Sequence, residues 1–142
     1  MHGVDLPQWL AEMTSALDDK MGLELLEVSA ERTVGRIPVE GNTQVIGLLH
    51  GGASGVLTET LGSMAAQAHA REHGGIAVGL NLEVTHHRAV RNGHVTGTAT
   101  ALHLGRTICT HLVEIVDDEG ERVATGRLTC LVRPRPSKTA SA

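Results

Sequence analysis

The sequence predicts an α+β fold: an antiparallel sheet wrapped around one long central helix. Three observations lead there. Residues 48–68 carry an uninterrupted helical repeat of apolar side chains, long enough to cross a small domain. The segments after it alternate apolar and polar residues and are separated by Asn-Gly, Leu-Gly and Asp-Asp-Glu-Gly turns. Strands and helices do not alternate in βαβ fashion, so nothing calls for a parallel sheet.

Taken in order, Leu6 to Leu17 predicts a short amphipathic helix. Pro7 suits its first turn, and Leu6, Trp9, Leu10, Met13 and Leu17 share a face that can cover an open end of the fold. Leu23–Ser29 and Thr33–Val39 are strand candidates, with a turn near Ala30-Glu31-Arg32 and another at Gly41-Asn42. Gln44 to Leu49 leads into the central helix.

On that helix Ala53, Val56, Leu57, Leu61, Met64, Ala65 and Ala68 form one apolar stripe. Gly52, Gly55, Glu59, Gly62 and Ser63 fall on the other side, where Glu59 is the only charge. Glycine within a helix costs about 0.5–1 kcal/mol relative to alanine, so its recurrence points to close packing against a sheet or a ligand. The His50-Gly51-Gly52 start leaves backbone N–H groups at the positive end of the helix dipole, where an anion or a developing oxyanion can bind. By itself, such a helix is ordinarily a packed one with a solvated carboxylate.

The helix should end near His73-Gly74-Gly75, since paired glycines suit a left-handed cap. Ile76 to His87 then alternates, with Val78, Leu80, Leu82, Val84 and His86 on one face and Asn81, Glu83, Thr85 and His87 on the other. Strands follow over His94–His103, Arg106–Val116 and Arg122–Val132. The expected organisation is an N-terminal helix over 1–20, one domain over 21–133 and a disordered tail over 134–142.

Composition narrows the function. Trp9 is the only aromatic, so the core is aliphatic, and the base-stacking side chains of nucleic-acid surfaces are missing. A net charge of −4 also argues against nucleic acid. No apolar run reaches membrane-spanning length, and Met1 to Asp5 lacks the basic start of a secretory leader, so the expected compartment is the cytoplasm and no membrane partner is expected. Cys109 and Cys130 show neither metal spacing nor a disulfide framework and read as buried small hydrophobes. His86 and His87, adjacent on a strand, point to opposite faces and cannot both ligate one metal; no metal or cofactor is expected. His94, His103 and His111 read as structural or surface residues.

Glu59 is the leading candidate for chemistry. A carboxylate in a mostly apolar pocket can attack an acyl carbon or take a proton from water. Its surroundings resemble those of the hotdog-fold thioesterases. The resemblance runs from about Gln44 to Arg133 and rests on His50-Gly51-Gly52 with Glu59 and Ser63, Leu80-Asn81-Leu82-Glu83-Val84-Thr85-His86-His87-Arg88 and Leu102-His103-Leu104-Gly105-Arg106. The branch is that of the phenylacetate-pathway and Arthrobacter-type 4-hydroxybenzoyl-CoA thioesterases, and the chain is most similar to its enterobactin-pathway proofreading members. No Asp or Glu lies between Glu40 and Thr58, where the other major branch carries its catalytic Asp.

The resemblance implies an acyl- or aroyl-thioesterase acting on CoA or carrier-protein thioesters, in a housekeeping or proofreading role. It implies Glu59 as nucleophile or general base. It implies that the Gly51 N–H polarises the thioester carbonyl, helped by His50, that Gln44 orients the thioester or the attacking water, and that Ser63 holds that water. His86 and His87 would line the acyl end, with Met64 beneath it. Arg88, Arg91 and Arg106 would offer a basic rim to phosphates. In that family Glu and Gly come from different subunits, which implies a homodimer, and two dimers usually form a homotetramer. Two other readings stand beside it. A hotdog dehydratase or hydratase fits the Gly51-Gly52…Glu59…Ser63 pattern poorly. A non-enzymatic acyl-CoA sensor of this fold normally carries a DNA-binding domain, for which the chain has no room.

Overall fold

A single antiparallel sheet of six strands forms around one helix, as the computed structural model, which describes residues 6–136, shows. The strands are β1 (Glu24–Val28), β2 (Arg32–Pro38), β3 (Gly75–His86), β4 (His94–Leu104), β5 (Ile108–Val116) and β6 (Arg122–Pro134). Their spatial order is β1-β2-β4-β5-β6-β3, and every neighbouring pair is antiparallel. The long helix α2 (Gly51–Arg71) packs against all six. This is the α+β hotdog arrangement, with β1 and β3 at the two edges.

The core lies between α2 and the sheet. Leu57 and Leu61 are fully buried there with Ile37, Val39, Val95, Ala99, Val113 and Ile115. Burying each leucine contributes about 1.5–3 kcal/mol. Two glycines make room for them: a Cβ on Gly97 would lie 2.6 Å from Leu61 Cδ1, and one on Gly35 2.7 Å from Leu61 Cδ2.

The buried face of α2 is not the stripe that periodicity predicts. Ala53, Leu57, Leu61 and Ala65 are buried as expected, but Val56, Met64 and Ala68 are only half-buried. The row Ser54, Thr58, Gly62 and Ala66, which runs from the edge of the stripe into the small side at Gly62, is buried instead. The reason is β6. Leu128 sits so close to Gly62 that a Cβ there would lie 2.7 Å from Leu128 Cβ, and Thr58 fills the space above Gly126. Small residues let the helix roll toward the sheet, so the face that looked weakest in hydrophobicity became the tightest contact.

The N-terminal helix also differs. Gln8–Glu12 forms a short 3-10 turn, and an α-helix, α1, begins only at Ala16 and runs to Met21. Ser15 caps it by accepting a hydrogen bond from the Asp18 N–H at 3.2 Å, and Gly22, at φ 73°, closes it in the left-handed region. The cap pair at Ser15 and Asp18 overrides the apolar repeat that crosses it. Trp9 lies under the Arg71 guanidinium at 4.8 Å, so the segment reaches the C-terminal end of α2.

In β3 the expected alternation breaks at a bulge between Gly79 and Asn81. Gly79 pairs with the buried Cys130 and Leu82 with the buried Leu128, while Val78 pairs with Leu131 on the outer face. Val78 and Leu82 therefore face opposite ways, with Leu80 as the extra residue. β6 runs to Pro134, one residue into the expected tail, and residues 137–142 and Met1–Asp5 lie outside the described residues.

Candidate active site

The N-terminal end of α2 is built by its loop. Residues 44–48 fold on themselves: the Gln44 N–H donates to Leu48 O at 2.8 Å, and Gly47, at φ 82°, turns the chain back with its N–H on Gln44 O at 3.0 Å. His50 then caps the helix, its Nδ1 accepting from the Gly52 N–H at 2.8 Å. That bond commits His50 to holding the helix start. The Gly51 N–H has no hydrogen-bond partner among the described residues, so it remains available at the positive end of the helix.

His86, on the inner face of β3, is placed directly over this turn. Its Nε2 bonds Gly51 O at 3.0 Å, and a carbonyl only accepts, so the proton is on Nε2. His87 points the other way, to Thr125 Oγ1 at 3.0 Å, as strand alternation predicts. Arg88 is exposed and paired with Asp117 at 2.9 Å. Gln44, Gly51, His86, His87 and Arg88 line one cleft of about 390 Å³. The Gln44 Oε1 already accepts from the Ile46 N–H at 2.6 Å, while its amide NH2 has no hydrogen-bond partner among the described residues.

Glu59 is not in this cleft. It lies two helical turns beyond Gly51, roughly 12 Å along the axis. With Gly79, Leu80, Asn81, Leu82 and Leu128 it lines a second cleft of about 290 Å³ beside the edge strand β3. Its Oε1 lies 3.0 Å from the point a Cβ on Gly79 would occupy, so the glycine lets the carboxylate approach the strand closely. Burial raises the Glu59 pKa above its usual 4.5, because desolvation disfavours the ionised form. Ser63 and Met64, half-buried, follow one turn further along the helix. Arg106 is at the opposite end of the molecule from Arg88, beside His73, Gly75 and Arg133, so the two do not form one rim within a chain.

Sequence reasoning missed one member of the first cleft. Ser54 lines it too, and its Oγ is buried without a hydrogen-bond partner. Its place one turn after Gly51 was the available signal. Among the described residues, one group has metal-ligand chemistry: His69, Glu72 and His73 near the end of α2, with ligand atoms within 4.8 Å of one another. His69 Nε2 already bonds Gly105 O at 2.7 Å, and the group is remote from both clefts.

A helix start offering an amide to an oxyanion, and a desolvated carboxylate near an acyl-sized cleft, suit acyl transfer. The thioesterase superfamily profile matches residues 46–124 of this sequence. The chain belongs to the thioesterase superfamily. The proofreading thioesterase EntH of Cronobacter turicensis is 40% identical over 123 residues, 86% of this chain and 89% of that protein. A thioesterase of Pseudomonas aeruginosa superposes with TM-score 0.84 at 36% identity, covering 94% of this chain and 97% of the other. A thioesterase of Haemophilus influenzae gives TM-score 0.83 at 32% identity, covering 90% of each. As a member of this superfamily the protein is a thioester hydrolase. No helix among the described residues is long and apolar enough to cross a membrane.

Proposed function

We propose that this thioesterase hydrolyses acyl or aroyl thioesters of CoA or of a carrier protein, in a housekeeping or proofreading role, with Glu59 supplying the attack. The observation that carries this is the half-buried Glu59 carboxylate, desolvated at the foot of a cleft whose floor is the glycine backbone of β3. Glu59 either attacks the acyl carbon and is freed by water, or takes the proton of a water that attacks. In both routes the thiolate leaves and is protonated, and the Gly51 N–H stabilises the oxyanion. Gln44 donates from its free amide group, and Ser63 holds water beside Glu59.

The roughly 12 Å between Gly51 and Glu59 is too far for both to serve one carbonyl within a chain. We therefore assign each active site to two copies, Glu59 and Ser63 of one facing Gly51 and Gln44 of the other, in a homodimer that pairs further into a tetramer. The second cleft borders the edge strand β3, where Leu80 and Leu82 are exposed, which supports such a partner. The acyl group would rest on Met64 and the His86–His87 end, and Arg88 or Arg106 would meet phosphate.

The test is thiol release from benzoyl-, hydroxybenzoyl- and medium-chain acyl-CoA. The native protein is expected to turn over at least one of these, and Glu59→Gln to lose about 10²-fold or more. Binding without turnover, unchanged by Glu59→Gln, would replace this reading with that of an acyl-CoA sensor.

A further inference from the structure

We infer that Ser54 is a further catalytic residue, its hydroxyl donating a hydrogen bond to the thioester carbonyl oxygen beside the Gly51 N–H. The inference rests on the thioesterase reading above and adds a second donor to its oxyanion site.

Ser54 is 1% exposed, and its Oγ is the only buried side-chain oxygen or nitrogen without a partner among the described residues. A buried hydroxyl left unpaired costs free energy, so a fold that keeps one has a use for it. Thr58, one turn further along the same row, shows the ordinary solution: its Oγ1 donates to Ser54 O at 2.9 Å. Ser54 makes no such bond to His50 O. That carbonyl is occupied by the backbone N–H groups of Ala53, at 2.9 Å, and Ser54, at 3.4 Å.

Helix geometry directs Ser54 to the right place. A helical Cα–Cβ bond tilts toward the N-terminus, so the Ser54 side chain leans over the turn that begins at Gly51. Both residues line the same cleft of about 390 Å³. The Gly51 N–H also lacks a partner and points to the same end. A thioester carbonyl oxygen has two lone pairs, and its negative charge grows in the tetrahedral intermediate. Gly51 satisfies one lone pair and Ser54 the other.

Ser54 is a donor here and not a nucleophile. Attack by Oγ needs a base to take its proton. Neither imidazole of the cleft is placed to do so: His86 and His87 turn their Nε2 to Gly51 O and Thr125 Oγ1, each at 3.0 Å, and Ser54 Oγ bonds neither ring.

The test compares the native protein with Ser54→Ala in steady-state hydrolysis of benzoyl-CoA. It then records the infrared carbonyl stretch of carbonyl-13C benzoyl-CoA bound to Glu59→Gln, with and without Ser54→Ala. Loss of one oxyanion donor should lower kcat by about 10²-fold while KM moves by less than about threefold. The bound carbonyl stretch should move to higher wavenumber when Ser54 is removed, because the carbonyl is less polarised. An unchanged kcat overturns the inference. So does a lowered kcat with an unmoved stretch, since Ser54 would then act only through packing. If the native protein hydrolyses nothing, the thioesterase reading fails by itself, and the carbonyl stretch still reports whether Ser54 touches the bound thioester.

Discussion

Glu59 is where burial shifts an ordinary carboxylate toward its neutral form. Its folded pKa is raised above 4.5 by desolvation, so the folded protein holds this proton more tightly than the unfolded chain does. The stabilisation from the protonated form is complete below 4.5 and is lost as pH rises through the folded pKa. At neutral pH the ionised carboxylate is therefore a burden on the fold. Glu59→Gln should melt at a higher temperature than the native protein at pH 7, and the gap should close below about pH 4.5; thermal melts across pH check this. Activity runs the other way. Attack or proton abstraction needs the carboxylate, so kcat/KM should fall on acidification at a pH above that of a free glutamate, and this limb should follow the folded Glu59 pKa.

The elements owe their arrangement to where small residues allow close approach. Gly62 lies against Leu128, and a Cβ there would sit 2.7 Å from Leu128 Cβ. Gly62→Ala gains helix propensity but overpacks the α2–β6 contact, and should destabilise by about 1–3 kcal/mol in urea unfolding. Hydrophobic periodicity alone argues the reverse, since it places Gly62 on the outer side. Ser15 caps α1, and Ser15→Ala should cost about 0.5–2 kcal/mol in the same assay. The tie between α1 and α2, Thr60 Oγ1 donating to Asp18 Oδ1 at 2.9 Å, should loosen with it.

For the assembled enzyme, the separation of Gly51 and Glu59 along one helix makes a specific demand. Two inactive variants should rescue each other if every site draws on two copies. Glu59→Gln removes the proposed attacking group. Gly51→Pro removes the amide proton at a helical position that accepts proline, although the His86 ring, 3.1 Å from a Cβ there, must yield. Dissociated and reassociated at equal amounts, the pair should recover about a quarter of native activity, since half of the dimers are mixed and each mixed dimer holds one intact site. No recovery, with mixed dimers demonstrated by mass spectrometry, would place each site within one chain.

The sequence by itself determined the element order, the antiparallel sheet around one helix, and the motif that names the superfamily. These rest on local periods, turn residues and spacing along one helix, all properties of neighbours in the chain. The pattern His50-Gly51-Gly52, Glu59, Ser63 was legible for the same reason. Only the tertiary structure decided which face of α2 is buried, because Leu128 and Gly126 meet that face from a strand more than sixty residues away. It alone revealed the bulge that turns Val78 outward, since register belongs to the pairing of β3 with β6 and not to β3 alone. It alone separated the Glu59 cleft from the Gly51 cleft. And it alone exposed Ser54, because a hydroxyl is unpaired only in relation to everything folded around it.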